Sequence, residues 1–200
     1  MKIAYLNLPA LPKKLITTLT DIALSIPYDL AGKEWLENFH GGNIQIISQV
    51  YGRDNTFMTP EIQKEINDIY SPYFDQPVLG VLGNLANTTG QGESECPPHC
   101  DRYRKMAINY ILQTGGSNVK TCFYKESRSG DNLDESANEL YNNVTLDFEI
   151  QLPAQTWHAY DVQHFHSVRN IANTRLIFSL VPSNNIDFAT FVKQHPELLK

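Results

Sequence analysis

Cysteine is scarce in this chain, three in 200 residues, and that scarcity excludes two architectures. An odd count without regular spacing cannot build a disulfide framework. Cys96 and Cys100 lie close around Pro97 and Pro98, but no second pair exists to complete a zinc site. The three are read as spectators in a reducing compartment, and the cytoplasm is the expected location. Long apolar runs are missing too. Nothing approaches the ~20 residues that span a bilayer. The opening run from Ile3 to Leu11 is broken by Asn7 and Pro9 and lacks a small-residue cleavage pattern, so neither a membrane segment nor a signal peptide is expected. Basic residues are outnumbered: 16 Lys and Arg against 22 Asp and Glu leave a net charge of −6. A field of that sign repels phosphate backbones and argues against nucleic acid as a partner. The short basic stretch of Arg102, Arg104 and Lys105 reads as a solvated loop rim. No internal repeat or low-complexity linker interrupts the chain, which predicts one domain over residues 1–200.

What is present suits a globular fold. A chain of this length can bury roughly 70% of its surface, and the 42% hydrophobic and 19% charged shares are ordinary. The first 76 residues read as helical or mixed. Leu15, Leu19, Ile22 and Ile26 recur at helical spacing after Pro12, and Pro27 ends the run. Thr59 can cap a second helix with Pro60 in its first turn and Ile62, Ile66, Ile69 and Tyr73 along one stripe. Between them residues 43–50 read as a strand.

From residue 77 the period falls to two. Val144, Leu146, Phe148, Ile150 and Leu152 alternate with polar residues, the pattern of a strand with one face in a core. Further strands are predicted over 77–86, 105–113, 120–125, 156–161, 165–169 and 175–181, with Gly115-Gly116, Ser129-Gly130 and Pro153 as turns. Residues 127–143 read as a polar surface excursion with a helical turn, and a closing helix is expected over 185–199. Helices followed by a long succession of strands predict a mostly β fold with flanking helices, an antiparallel jelly roll with its core over 77–182.

Chemistry concentrates in three segments: Pro-Pro-His99-Cys-Asp101, His164-Phe-His166-Ser-Val, and a strand opening on Arg175. In extended chain, side chains two apart point the same way, so His99 and Asp101 can reach one ion together. A downstream histidine would complete two imidazoles and one carboxylate, a set that leaves coordination positions open and suits non-haem Fe(II). His164 and His166 share a strand face, so facing does not separate them. His166 is preferred because it keeps the ligand in one hairpin with Arg175, nine residues on, leaving His164 at the rim. Arg175 offers an anion a partner charged at any working pH. His158 and His195 are expected at the surface.

The stretch from about Pro77 to Pro182 resembles the 2-oxoglutarate/Fe(II)-dependent dioxygenase family, especially its prolyl-hydroxylase-like branch. The matching segments are His99-Cys100-Asp101, RKMAINYIL, Gly115-Gly116 leading to TCFY, WHAYDVQHFHSV and TRLIFSL. The resemblance implies a double-stranded β-helix, cupin-like, with His99, Asp101 and His166 as iron ligands. It implies that Arg175 holds the distal carboxylate of 2-oxoglutarate, with Ser179 as a helper hydroxyl on the same strand face. The family commonly places a tyrosine or threonine on the strand after the first ligands. Here that slot holds Ile111, and Asn109, two residues earlier on the same face, is the expected donor. Fe(II), 2-oxoglutarate and O2 are thus the implied cofactors and cosubstrates, and hydroxylation of a small molecule or a protein side chain the implied reaction. Two other readings use the same scaffold. One is a ligand-binding module without catalysis. The other is a cupin-type metal enzyme using His164 with His166 and no 2-oxoglutarate.

Overall fold

In the computed structural model, which describes residues 2–25, 44–48, 58–87, 92–101, 104–127 and 143–200, alternating sequence becomes strand almost wherever it was expected. The strands are β1 (Ile3–Tyr5), β2 (Ile44–Ser48), β3 (Val78–Asn87), β4 (Ser94–His99), β5 (Met106–Thr114), β6 (Lys120–Ser127), β7 (Leu146–Ile150), β8 (Trp157–Asp161), β9 (His164–Ile171) and β10 (Arg175–Pro182). They form an antiparallel sheet ordered β1-β8-β5-β10-β3-β2 and another ordered β4-β9-β6-β7. The pairs β3·β10, β4·β9, β5·β8 and β6·β7 nest within one another, as in one long hairpin rolled onto itself. Strands β3 to β10 therefore make a double-stranded β-helix, the jelly roll expected from the alternation.

The large sheet owes its two faces to period-two side chains. On β5, Met106, Ile108 and Tyr110 face the helices, while Ala107, Asn109 and Ile111 turn into the roll. Among the described residues three helices cover the outer face: α1 (Lys13–Ser25), α2 (Pro60–Tyr70) and α3 (Phe188–Gln194). Leu15, Leu19, Ile66, Tyr70, Phe188 and Phe191 pack there against Trp157, Phe178 and Leu180. Each such side chain contributes about 1.5–3 kcal/mol through burial. Trp157 also donates its indole N–H to the Pro9 carbonyl at 2.8 Å, and Tyr70 donates to the same oxygen at 3.1 Å. Helix α2 starts as predicted, with Thr59 Oγ1 accepting from the Ile62 amide and Pro60 in the first turn. The two sheets meet inside the roll where Phe123 of β6 crosses Tyr160 of β8 edge to face at 5.4 Å.

Several elements differ from expectation. Strand β4 runs through Pro97 and Pro98, in a stretch where no strand was predicted. It is an edge strand paired only with β9, and its register shifts twice, so the missing N–H groups leave no ladder partner unsatisfied. Strand β1, three residues long, is another edge that alternation could not reveal. Strand β7 is present, but as the far edge of its sheet it half-buries Phe148 and Ile150 and leaves Leu146 40% exposed. The closing helix is shorter than 185–199. Asp187 caps α3, Pro196 stops it, and a 3-10 turn over Pro196–Leu198 follows. Ile26, Pro27 and the body of the 127–143 excursion lie outside the described residues. No helix among the described residues is long and apolar enough to cross a membrane.

Candidate metal centre and its buried arginine

His99 closes β4 and is in register with His166 of β9, so antiparallel pairing sets the two imidazoles side by side with ring centroids 4.4 Å apart. Two residues later Asp101 brings Oδ1 to 3.8 Å from His99 Nε2 and 3.6 Å from His166 Nε2. One ligand atom from each of the three lies within 4.8 Å of the others, and no other such group of His, Cys, Asp or Glu occurs among the described residues. His164, the alternative left open above, sits apart with Nδ1 3.0 Å from Asp161 Oδ2.

The surroundings prepare these atoms for a cation. His166 Nδ1 lies 3.1 Å from the His164 carbonyl, which can only accept, so the ring proton resides there and the Nε2 lone pair faces Asp101. Burial, and next the neighbouring His99, push His166 down to about 3, so it is neutral at working pH. Burial alone would raise the Asp101 carboxyl. The Arg104 guanidinium, followed by His166 and His99, outweighs burial and holds it below its ordinary value. Asp101 is thus a carboxylate, its Oδ2 taken by Arg104 Nε and its amide donated to the Val162 carbonyl at 3.0 Å. Arg104 was expected on a solvated rim; it is instead half-buried in an ion pair with Asp101, while Arg102 lies outside the described residues. The arrangement fits a divalent ion bound by two neutral nitrogens and one charged oxygen on a single side.

Arg175, the first residue of β10, is only 2% exposed. Its Nη1 donates to the Thr114 carbonyl at 3.3 Å and its Nη2 to Thr121 Oγ1 at 3.4 Å, while Nε has no partner. Among the described residues no carboxylate pairs with it. Burial lowers it to about 10, which still leaves it cationic. Beside it lies His158, expected at the surface but 1% exposed. It is an inward residue of β8, stacked on Tyr160 with centroids 5.8 Å apart, and its Nδ1 has no hydrogen-bond partner. Burial first and Arg175 second depress it to about 3, so the arginine's neighbour is neutral. His195 also departs from the surface, its ring set between Phe74 and Phe191.

Asn109 and Ser179 belong to a chain that links this end of the interior to the triad. Ser179 Oγ donates to Asn109 Oδ1 at 2.6 Å, and Asn109 Nδ2 donates to the Tyr160 hydroxyl at 3.0 Å. The Tyr160 ring then meets His166 edge-on at 5.5 Å. Burial raises Tyr160 to about 12, so it remains a phenol with a proton to give. The side chain that touches Arg175 is Thr121, from the opposite sheet, and Asn109 is occupied by Ser179 and Tyr160. Sequence reasoning passed over Thr121, Tyr160 and His158. The signal for Thr121 was its place two residues before Phe123 on an inward strand face, directly opposite Val168. All three cysteines are free and buried, and Cys96 Sγ lies 3.8 Å from His99 Nδ1.

No protein-family model and no curated protein sequence matches the chain. Among solved structures it is similar to AviO1 from Streptomyces viridochromogenes Tue57, at 13% identity over 92% of each chain with a TM-score of 0.46. It is also similar to SnoN, a non-heme alpha ketoglutarate dependent epimerase from nogalamycin biosynthesis, at 12% identity over 86% of this chain and 75% of that one, with a TM-score of 0.49. A third is a 2OG-Fe(II) oxygenase family oxidoreductase from Burkholderia pseudomallei, at 12% identity over 67% of this chain and 58% of that one, with a TM-score of 0.33. Likenesses at this level carry no functional argument, and the case for a function rests on the geometry of the site.

Proposed function

We propose that the protein is an Fe(II)- and 2-oxoglutarate-dependent dioxygenase that hydroxylates a small molecule or a protein side chain. The observation that carries this reading is one interior shared by two unmet needs. A two-histidine, one-carboxylate group is suited to a cation, and Arg175, a buried guanidinium that no carboxylate among the described residues pairs with, is suited to an anion. A keto-diacid that chelates a metal at one end and carries a carboxylate at the other satisfies both.

His99, Asp101 and His166 would hold Fe(II), and Arg175 with Thr121 Oγ1 would bind the distal carboxylate of 2-oxoglutarate. Bound together with O2, iron and 2-oxoglutarate supply the oxidation of a substrate C–H bond, coupled to decarboxylation to succinate. The protein's own work is positional. Arg104 keeps Asp101 ionised, the His164 carbonyl keeps the His166 lone pair facing inward, and Tyr160 with Phe123 excludes water around the centre. His99 and Asp101 are 17% and 16% exposed in their side chains against 5% for His166, so the centre opens to substrate on the side of the first two. The reading includes a single domain, the prolyl-hydroxylase-like branch, a cytoplasmic setting consistent with three free cysteines, and no nucleic-acid partner.

Anaerobic addition of Fe(II) and 2-oxoglutarate tests it directly. Visible charge-transfer absorption is expected only with both present in the wild-type protein, and it should vanish in Asp101→Ala. Succinate release in air should follow the same pattern. Absorption that persists in Asp101→Ala, or none in the wild type, overturns the proposal.

A further inference from the structure

We propose that Gln163 is a positioning residue that sets the reach of the metal-binding carboxylate; the inference rests on the metal reading above. Asp101 lies beyond the end of β4, outside the strand ladder that fixes His99 against His166. Something else must hold its Oδ1 at 3.6 Å from His166 Nε2. The contacts that do so converge on the turn between β8 and β9. Gln163 Nε2 donates to the Arg104 carbonyl at 2.9 Å and to the Asp101 carbonyl at 3.4 Å. The Gln163 carbonyl accepts the Cys100 thiol at 3.2 Å, and the adjacent Val162 carbonyl accepts the Asp101 amide at 3.0 Å. One residue therefore ties the ligand's own carbonyl, the thiol of the residue before it and the backbone of the arginine paired with its carboxylate.

The turn is itself held. Asp161 Oδ1 accepts the Gln163 amide at 2.8 Å and Asp161 Oδ2 lies 3.0 Å from His164 Nδ1, so both carboxylate oxygens shape it. The same turn leads directly into His166. The two parts of the metal group that lie far apart in sequence, Asp101 and His166, are thereby referred to one short piece of backbone, with Gln163 as the link. A side-chain amide suits this role because its two N–H groups can serve two carbonyls at once, which neither a carboxylate nor an apolar chain of the same length can do. Neither the amide nor its oxygen needs to touch the ion. Partners of this kind shift metal affinity by about 10- to 100-fold when removed.

The test is anaerobic titration of the full-length protein with Mn(II), together with the visible ligand-field spectrum of the Co(II) form. Gln163→Met keeps the volume and removes both donors. It should weaken Mn(II) binding by about tenfold and alter the Co(II) bands, with melting of the metal-free protein measured alongside. Gln163→Asn keeps the amide but draws it back by one methylene, and should show the same two changes if Met at this position does not fold. Gln151→Met, which loses a bond to the Ser117 carbonyl away from the centre, should leave both readouts unchanged. Wild-type Mn(II) affinity and Co(II) bands in a folded Gln163 variant overturn the inference while leaving the metal reading intact. Failure of the wild type to bind either ion overturns both.

Discussion

Arg175→Met should make the metal- and ligand-free protein more stable while abolishing its response to 2-oxoglutarate. Arg175 is 2% exposed, and burial lowers it from the ordinary guanidinium value to about 10. A fall of that size means that holding the charge in the folded state costs about 3 kcal/mol. The sign is destabilising at every pH below about 10, and relief comes only as pH rises from there toward the ordinary guanidinium range, because the folded form sheds its proton first. Methionine removes the charge and fills most of the space. It also forfeits the hydrogen bonds to the Thr114 carbonyl and Thr121 Oγ1, each worth about 0.5–1.5 kcal/mol. The balance is a gain of up to about 2 kcal/mol, in line with buried charges replaced by apolar side chains elsewhere. For a chain of this size that is a rise of up to about 8 °C in Tm. Differential scanning calorimetry of the ligand-free variant gives the first half. The second half is the shift on adding 2-oxoglutarate with Mn(II) in the absence of oxygen. A hundredfold excess over Kd should add about 2.7 kcal/mol to the wild type and almost nothing to Arg175→Met. A variant that melts several degrees below wild type would refute the reasoning, because the guanidinium would then be satisfied by its two present partners and would not be waiting for an anion.

Three other substitutions separate the parts of the site. Gly115→Ala places a Cβ 2.8 Å from Arg175 Cβ at a φ of +85°, so it should cost about 1–3 kcal/mol and weaken 2-oxoglutarate binding by displacing the guanidinium, read by thermal melts and titration. Thr121→Val removes the hydroxyl that Arg175 Nη2 meets at 3.4 Å. It should raise the Kd for 2-oxoglutarate by about three- to tenfold with Mn(II) affinity unchanged, as measured by calorimetric titration. Gly80→Ala drives a Cβ to 2.6 Å from Ile66 Cδ1 and 2.8 Å from Phe178 Cε2 on the helix-covered face. It should lower stability by about 1–3 kcal/mol in a denaturant melt and leave both ligand affinities as they were.

Much of this was legible from residue order. Strict alternation over Val144 to Leu152 announces a strand, because a pleated chain sends neighbours to opposite faces whatever its surroundings. The cap at Thr59 is equally local, and so is the stop at Pro196, although the helix expected over 185–199 ran through it. Strand β4 was hidden because prolines forbid a central strand but not an edge, and edge status belongs to the sheet as a whole. The same holds for His158: its sequence neighbours are polar and aromatic, and only the pairing of β8 with β5 turns it inward.

The spacing of His99 and Asp101 and the order of His166 and Arg175 are properties of the chain itself, and they suffice to suggest a metal and an anion. Which histidine stands across from His99 is not. His166 holds that place because β4 and β9 pair in one register and not its neighbour, and a slip of one residue would reverse every side chain. Thr121, Tyr160 and Gln163 join the site through contacts between segments far apart in sequence. Such contacts exist only once the hairpin has rolled, since hydrogen bonds between distant segments depend on distance in space and leave no periodic trace along the chain.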